Sequence, residues 1–339
     1  MLEKPELKDE IIINCLEKKY GVSAEKIAFL PLGGDLNTAV YRVVATEETL
    51  YFCKLRRGVF DETTIELPKF LSKQGIAKII PPLITKAGEL RVELGEFKLI
   101  LYPFVEGKNG YDVELSESQW ADFGAAFKQI HTTIIPPSLI SIIRKENYSP
   151  EWRERCRNII ERLDSETFDN AVSVDMAMFL RSKREMILCA IERAEKLAHV
   201  MVSRSMEFVL CHTDIHPGNL LIDTRGTLFM VDWDYPMFAP KERDLMFIGG
   251  GQGFMPYSAE REEMLFYRGY GQSQLDPIAL AYYRYERCIT HISVECERIF
   301  SNTLGDSDRA QSLEILQLYF LPNCTMELAY SSDRTLSNG

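Results

Sequence analysis

Basic residues are in deficit in this chain: 39 Lys and Arg face 50 Asp and Glu, for a formal net charge of -11. A nucleic-acid surface wants the opposite sign, so nucleic acid is not an expected partner. Long apolar runs are missing too. The longest, such as Leu99 to Val105, fall far short of the roughly 20 residues that cross a bilayer, and no membrane span is expected. The first ten residues hold Glu3, Lys4, Glu6, Lys8, Asp9 and Glu10 rather than an apolar leader. Eight cysteines include no Cys-x-x-Cys pair, and 339 residues do not need disulfide staples, so reduced, buried thiols and a cytoplasmic setting are expected. Three catalytic signatures are absent as well. There is no Gly-x-Ser-x-Gly elbow, no His-Glu-x-x-His helix and no Gly-x-x-x-x-Gly-Lys-Ser/Thr loop. Their absence removes the commonest hydrolase, zinc-peptidase and P-loop readings.

What the sequence does contain is His212-Thr213-Asp214-Ile215-His216-Pro217-Gly218-Asn219, followed by Val231-Asp232-Trp233-Asp234. Short apolar runs flank both segments, so strands would place these polar side chains rigidly. An amide and a carboxylate that converge can hold Mg²⁺, and a further carboxylate can orient a hydroxyl toward a nucleotide phosphate. Asp214 is the candidate base or hydroxyl orienter; Asn219 and Asp232 are the candidate metal ligands. Asp234 either assists the metal or braces its loop. Any one of these residues taken alone is equally well a turn former. Lys54 lies within the apolar run Tyr51 to Leu55, where a mid-strand ammonium is costly unless paired.

The N-terminal third reads as a small sheet carrying one helix, with strands near 27–30, 39–44, 50–55, 90–94 and 97–102 and a helix over 62–73. Gly107 to Gly110 reads as a flexible join. Beyond it the patterning is mostly helical. Ser116 and Gln119 form a capping box, Ser149-Pro150 starts another helix, and a long helix or helix pair covers 171–200. Gly249-Gly250-Gly251 marks a helix end.

The His-x-Asp-x-x-x-x-Asn spacing of His212, Asp214 and Asn219, the Asp232 segment, Lys54 and the run Lys241 to Leu245 resemble the aminoglycoside phosphotransferase family. The likeness covers about residues 20 to 320. It implies an α+β, bilobal protein-kinase-like fold, with a sheet-rich nucleotide-binding lobe over 1–104 and a mostly helical catalytic lobe over 105–330. It also implies ATP, or GTP, with Mg²⁺. Glu62 would hold Lys54, with Glu66 as runner-up, and Asp244 would fix the helix after the metal loop. Gly33, Gly34 and Asn37 would cover the phosphates. Leu101, Tyr102 and Phe104 would offer backbone groups and apolar side chains to adenine.

Residues 148–153, 239–251 and 283–287 narrow the resemblance to the spectinomycin-phosphorylating branch. The acceptor implied is a cationic aminocyclitol, with a choline-like, homoserine-like or other amino-alcohol metabolite as the alternative. Asp214, Tyr283, Glu286 and Trp152 are the candidate acceptor contacts, since carboxylates suit amines and aromatic faces suit rings. Packing aromatics and solvated acids would leave the same pattern. A monomer or weak homodimer is expected. A catalytically silent scaffold has no need of Lys54, Asn219 and both aspartates together.

Overall fold

Strand alternation and helix caps account for most of the architecture in the computed structural model, which describes residues 3–32, 37–168, 170–249, 258–300, 305–322 and 324–337. In chain order, α1 (Asp9–Cys15) runs into a π-helical turn (Leu16–Tyr20), then β1 (Ala24–Leu30), β2 (Thr38–Ala45) and β3 (Leu50–Arg57) follow. Next come α2 (Thr63–Lys73), β4 (Val92–Leu94), β5 (Phe97–Pro103), β6 (Gly107–Asn109), α3 (Glu117–Thr132), α4 (Pro137–Ile140) and β7 (Arg144–Lys145). After these lie α5 (Glu151–Arg162), α6 (Ala171–Val202), β8 (Val209–Cys211), β9 (Leu220–Asp223), β10 (Leu228–Met230) and β11 (Met237–Ala239). The chain continues with α7 (Glu242–Leu245), α8 (Ala259–Tyr270), α9 (Pro277–Ile299), α10 (Asp306–Leu318) and α11 (Thr325–Ser337).

The chain divides into two compact units. The first takes Met1–Leu115, Thr133–Ile143 and Pro217–Pro236; the second takes Ser116–Thr132, Arg144–His216 and Met237–Gly339.

In the first unit, an antiparallel sheet runs in the order β1-β2-β3-β5-β4. Period-two alternation sends Tyr41, Val43, Cys53, Leu55, Leu99 and Leu101 to one face, where they pack with Ile12 and Leu16. Each such aliphatic or aromatic side chain contributes about 1.5–3 kcal/mol on burial. Lys54, opposite Val40 on one side and Ile100 on the other, belongs to the other face. A second, three-stranded sheet pairs β10 with β9 and β9 with β6.

The expected flexible join at Gly107 to Gly110 is therefore an ordered strand, Gly107–Asn109, followed by a turn at Gly110. Gly107 lies so close to Ile222 that a β-carbon would stand 2.2 Å from its carbonyl oxygen. The Gly110 N–H reaches the carbonyls of Pro217 and Leu220 at 2.9 and 3.0 Å. Read alone, the glycines suggest freedom; in the fold they permit close backbone contact.

The second unit is built around α9, which packs against α5, α6, α7, α10 and α11. Asp276 starts it by accepting from the N–H groups of Ile278 and Ala279 at 2.9 and 3.0 Å, with Pro277 at the first position. The capping box at Ser116 and Gln119 is reciprocal, with the Ser116 N–H donating to Gln119 Oε1 at 2.7 Å and the Gln119 N–H to Ser116 Oγ at 3.3 Å. Just ahead of α5, the Ser149 hydroxyl accepts from the Glu151 N–H at 3.3 Å, and Pro150 takes the cap position. The small sheet β7-β11-β8 closes the unit's list of strands. Among the described residues no helix is long and apolar enough to cross a membrane.

Candidate functional site

Lys54 settles its buried charge on two carboxylates. Its Nζ lies 3.1 Å from Asp232 Oδ1, and 3.0 and 3.2 Å from the two oxygens of Asp234. Burial disfavours the ammonium, but Asp232 and Asp234 override that and raise its pKa. Arg56, one pleat along β3, also reaches Asp234 at 3.0 Å. Asp234 is nevertheless lifted above the ordinary carboxyl range, first by burial and then by the like charge of Asp232, against the pull of Lys54 and Arg56.

The hairpin β9–β10 brings the amide and the first of these carboxylates together. Leu220 pairs with Met230, and the Val231 N–H donates to the Asn219 carbonyl at 3.0 Å, so Asn219 stands beside the residue preceding Asp232. Asn219 ends a 3-10 turn (Pro217–Asn219) and is buried, whereas the Asp232 side chain is 46% exposed. Asp232 has φ 63°, a left-handed conformation that is uncommon outside glycine and costs of order 1–3 kcal/mol.

Glu62 does not hold Lys54. It precedes the first turn of α2 and is engaged by Arg91, with nitrogen–oxygen distances of 2.7 and 2.9 Å. Two donors of the Arg91 guanidinium converge on the one Oε1 of Glu62. Glu66, the runner-up, lines the same shallow groove as Glu62 and Arg91.

The expected adenine contacts are rearranged too. Leu101 points into the α1 side of the sheet, opposite to Lys54, and its carbonyl accepts from the Leu83 N–H at 2.7 Å. The Phe104 N–H donates to the Leu50 carbonyl at 3.2 Å, and its ring lies 5.4 Å from the Arg42 guanidinium. Tyr102 and Ile100 share the face of Lys54, and Tyr102 packs edge-on against Phe52. The Asn37 carbonyl accepts from the Arg57 N–H at 2.8 Å at the head of β2. Gly33 and Gly34, like Gly250 and Gly251, lie outside the described residues.

In the second unit Asp214 lies in a loop held by Asp244. The fully buried Asp244 carboxylate accepts from the His212 N–H at 2.9 Å, the Thr213 N–H at 2.6 Å and His131 Nε2 at 3.0 Å. Thr213 thereby keeps φ 75°, which a β-branched residue adopts only under restraint. His212 Nδ1 accepts from the Asp214 N–H at 3.4 Å, in keeping with a bracing role. His131, Cys211 and Asp244 come close enough to suggest a metal cluster. Their atoms are committed elsewhere: His131 bonds Tyr270 at 2.8 Å through its other nitrogen, and the Cys211 thiol, pushed up by burial, lies against backbone carbonyls. It is a buried brace.

The Asp214 side chain meets Arg287 of α9, with 2.5 Å between Oδ1 and Nη1, and its other oxygen is 3.8 Å from His216 Nε2. Burial alone would raise the Asp214 pKa. Arg287, helped by His216, His291 and His212, holds it far below the ordinary range instead. Arg287 is stacked over the Phe247 ring at 5.1 Å.

The other expected acceptor residues each have partners within the second unit. Tyr283 is 1% exposed, edge-on to Tyr282 and beneath the Arg243 guanidinium at 5.6 Å. Glu286 is ion-paired with buried Arg153, which also reaches the Tyr282 hydroxyl at 3.4 Å and the Tyr148 carbonyl at 3.0 Å. Burial pushes the Glu286 carboxyl up to about 7 despite Arg153. Trp152, partly exposed on α5, carries the Arg155 guanidinium 4.8 Å above its ring.

The sequence profile of the phosphotransferase enzyme family matches residues 28–283. A spectinomycin phosphotransferase solved in complex with ADP and spectinomycin is 34% identical, with 97% of this chain and 99% of that one covered and a TM-score of 0.89. The AMP-bound complex of a spectinomycin phosphotransferase gives 33% identity, 96% and 98% coverage and a TM-score of 0.85. The chain belongs to the phosphotransferase enzyme family. Choline kinase LicA from Streptococcus pneumoniae, at 14% identity, 93% and 99% coverage and a TM-score of 0.54, shares the fold alone. No curated protein sequence matches.

The fold of this phosphotransferase is thus bilobal and kinase-like, with an N-terminal sheet lobe and a C-terminal helical lobe. Its site residues also test the metal that such chemistry employs. Asn219 and Asp232 supply only oxygen ligands, one neutral and one charged, brought side by side by the β9–β10 register. That donor set suits Mg²⁺ and not a thiolate- or imidazole-seeking metal. The residues fit the ion. Two pairings of this phosphotransferase were not expected from the sequence, Arg56 with Asp234 and Arg287 with Asp214, although Arg287 lies in the run 283–287 that carries the family resemblance. His291, one turn beyond Arg287 on α9, also bears on Asp214.

Proposed function

We propose that this phosphotransferase moves the γ-phosphate of ATP to a hydroxyl of an aminocyclitol antibiotic of the spectinomycin type. The observation that carries this reading is the end-to-end likeness, at 34% identity and a TM-score of 0.89, to a spectinomycin phosphotransferase in complex with ADP and spectinomycin. Lys54 takes the α- and β-phosphates, exchanging one of its carboxylate partners for phosphate oxygens. Asp234 and Arg56 keep it aimed. Asn219 and Asp232 hold Mg²⁺, which when bound neutralises charge on the phosphates.

Asp214 receives the acceptor hydroxyl. A carboxylate held so far below its ordinary pKa is a weak base, so its contribution is orientation: it accepts the hydroxyl's hydrogen bond and aligns the oxygen with the γ-phosphorus. Loose phosphoryl transfer asks little of a base before the transition state, so the hydroxyl proton passes to Asp214 only as the new oxygen–phosphorus bond forms and the bond to ADP breaks. Eight unpaired cysteines, seven of them buried, suit a reducing cytoplasm.

The test is a screen that detects phosphorylated product directly. Spectinomycin, other aminocyclitols, choline, homoserine and aminopropanol are each offered with Mg-ATP and with Mg-GTP. Spectinomycin is expected to give the highest kcat/KM, at least about tenfold above any amino-alcohol metabolite, the size of one well-made polar contact. A metabolite that outperforms it would overturn the antibiotic reading and leave the kinase chemistry standing.

A further inference from the structure

Asp214 is braced twice from one short stretch of chain, and the second brace has no counterpart in the roles above. Asp244 in α7 fixes the loop backbone through the His212 and Thr213 N–H groups. Three residues later Phe247, itself buried, lies against the Arg287 guanidinium at 5.1 Å. Arg287 in turn holds Asp214 Oδ1 at 2.5 Å, and Oδ2 lies 3.8 Å from His216 Nε2. Residues 244–247 therefore control the position of the loop and, through Arg287, the position of its carboxylate.

We propose that Arg287 is a positioning residue for phosphoryl transfer: stacked on Phe247, it pins one oxygen of Asp214 so that the other is presented to the acceptor hydroxyl. This rests on the assignment of Asp214 as the hydroxyl orienter. Geometry favours arginine for the task. Its planar fork can stack on a ring and donate in the ring's plane at once, which the point charge of lysine cannot do. The Arg287 side chain is 11% exposed and that of Asp214 28%, so the pair sits where water competes weakly but a ligand can still reach the carboxylate. The groups facing Asp214 are Arg287 and His291 from α9 and His212 and His216 from its own loop. Both His216 and His291 are pushed down by burial, whereas the Arg287 guanidinium stays charged at any working pH.

The experiment compares Arg287→Gln, Arg287→Lys and Asp214→Asn in the full chain, with spectinomycin and Mg-ATP. Thermal melts establish that each variant is folded. Arg287→Gln is expected to lower kcat roughly 10- to 100-fold, with the KM for ATP within about twofold, as expected for a group that acts only on acceptor alignment. It should also move the acid limb of kcat/KM upward by about one to three pH units, the usual effect of removing an adjacent opposite charge. Arg287→Lys should restore the acid limb but not the full kcat. An unmoved acid limb with kcat within threefold of wild type, in a folded Arg287→Gln, overturns the proposal.

Direct titration of the Asp214 carboxyl by ¹³C NMR, assigned with Asp214→Asn, supplies a reading that needs no acceptor. An upward shift in Arg287→Gln, or in Arg287→Met should the glutamine variant not fold, supports the pairing, and no shift overturns it. Full activity of Asp214→Asn would instead remove the hydroxyl-orienting role itself.

Discussion

Asp232 and Asp214 are both aspartates set against a basic side chain, one in each unit, and the two cations are held very differently. Lys54 shares its ammonium between Asp232 and Asp234, and Asp232 keeps nearly half its side chain exposed. Arg287 is stacked on a buried ring and aimed at a carboxylate whose backbone is itself tied down by Asp244. A flexible, shared point charge can be redistributed when phosphates arrive; a stacked guanidinium cannot. On the roles proposed for Lys54 and Asp214, adaptability belongs to the phosphate-handling centre and rigidity to the hydroxyl-handling one. Phosphates bring their own charge and attract the lysine to themselves. A neutral hydroxyl brings little, so the carboxylate that orients it must already be in place.

The largest expected effect separates the two centres directly. Asp214→Ala should reduce turnover by about 10²–10⁴-fold, the range typical of a proton-directing side chain, while nucleotide KM stays within a few fold. Lys54→Met should weaken nucleotide binding as well as turnover. Steady-state kinetics varied in both substrates checks this, and equal damage to ATP affinity from both variants would erase the contrast.

Next in size is the brace. Asp244→Ala leaves two backbone N–H groups and His131 without their acceptor in a fully buried setting, so about 3–5 kcal/mol of stability should be lost. Denaturant titration reads it. Asp232→Ala, at an exposed position, should leave stability nearly unchanged and abolish turnover.

The smallest effect is on pH-dependent stability. Burial pushes Glu262 and Glu286 up to about 7 from an ordinary 4.5, so their contribution is present below that window and is lost as pH rises through about 7. His216 is pushed down to about 4 from 6.5, and His291 is pushed down as well. The unfolded chain therefore takes those protons first, and the histidine contribution is lost as pH falls from 6.5 toward 4. The two trends oppose each other between 4.5 and 6.5, and the wild-type Tm should be nearly flat there. In a Glu262→Gln, Glu286→Gln double variant the carboxyl trend is weakened, and Tm should fall on acidification. A flat profile in that variant would sink the assignment.

Local structure was legible wherever the signal was local. Alternation in Tyr41, Val43, Cys53 and Leu55 located the first strands, and the Ser116–Gln119 box formed as its spacing implied. Pairing was less legible. Lys54 was sure to need a carboxylate, but Glu62, only eight residues on, is drawn to Arg91, and the partners are 178 and 180 residues away. Which face Leu101 takes depends on the β3–β5 register, and a one-residue slip would reverse it. Arg287 and Asp214 are separated by 73 residues and share no motif. Tyr283 and Glu286 have the chemistry of an acceptor wall, yet burial gives one to packing and the other to Arg153.

The first unit is not a continuous stretch of chain. Strands β9 and β10 of its second sheet, together with Asp232 and Asp234, arrive from residues 217–236, more than a hundred positions after its main sheet ends. An excised fragment ending at Leu115 would leave β6 without β9 and the Lys54 ammonium without either counter-ion. Anyone grafting this half onto another acceptor module must therefore transplant the hairpin with it, making four cuts around 217 and 236 in donor and recipient rather than a single splice.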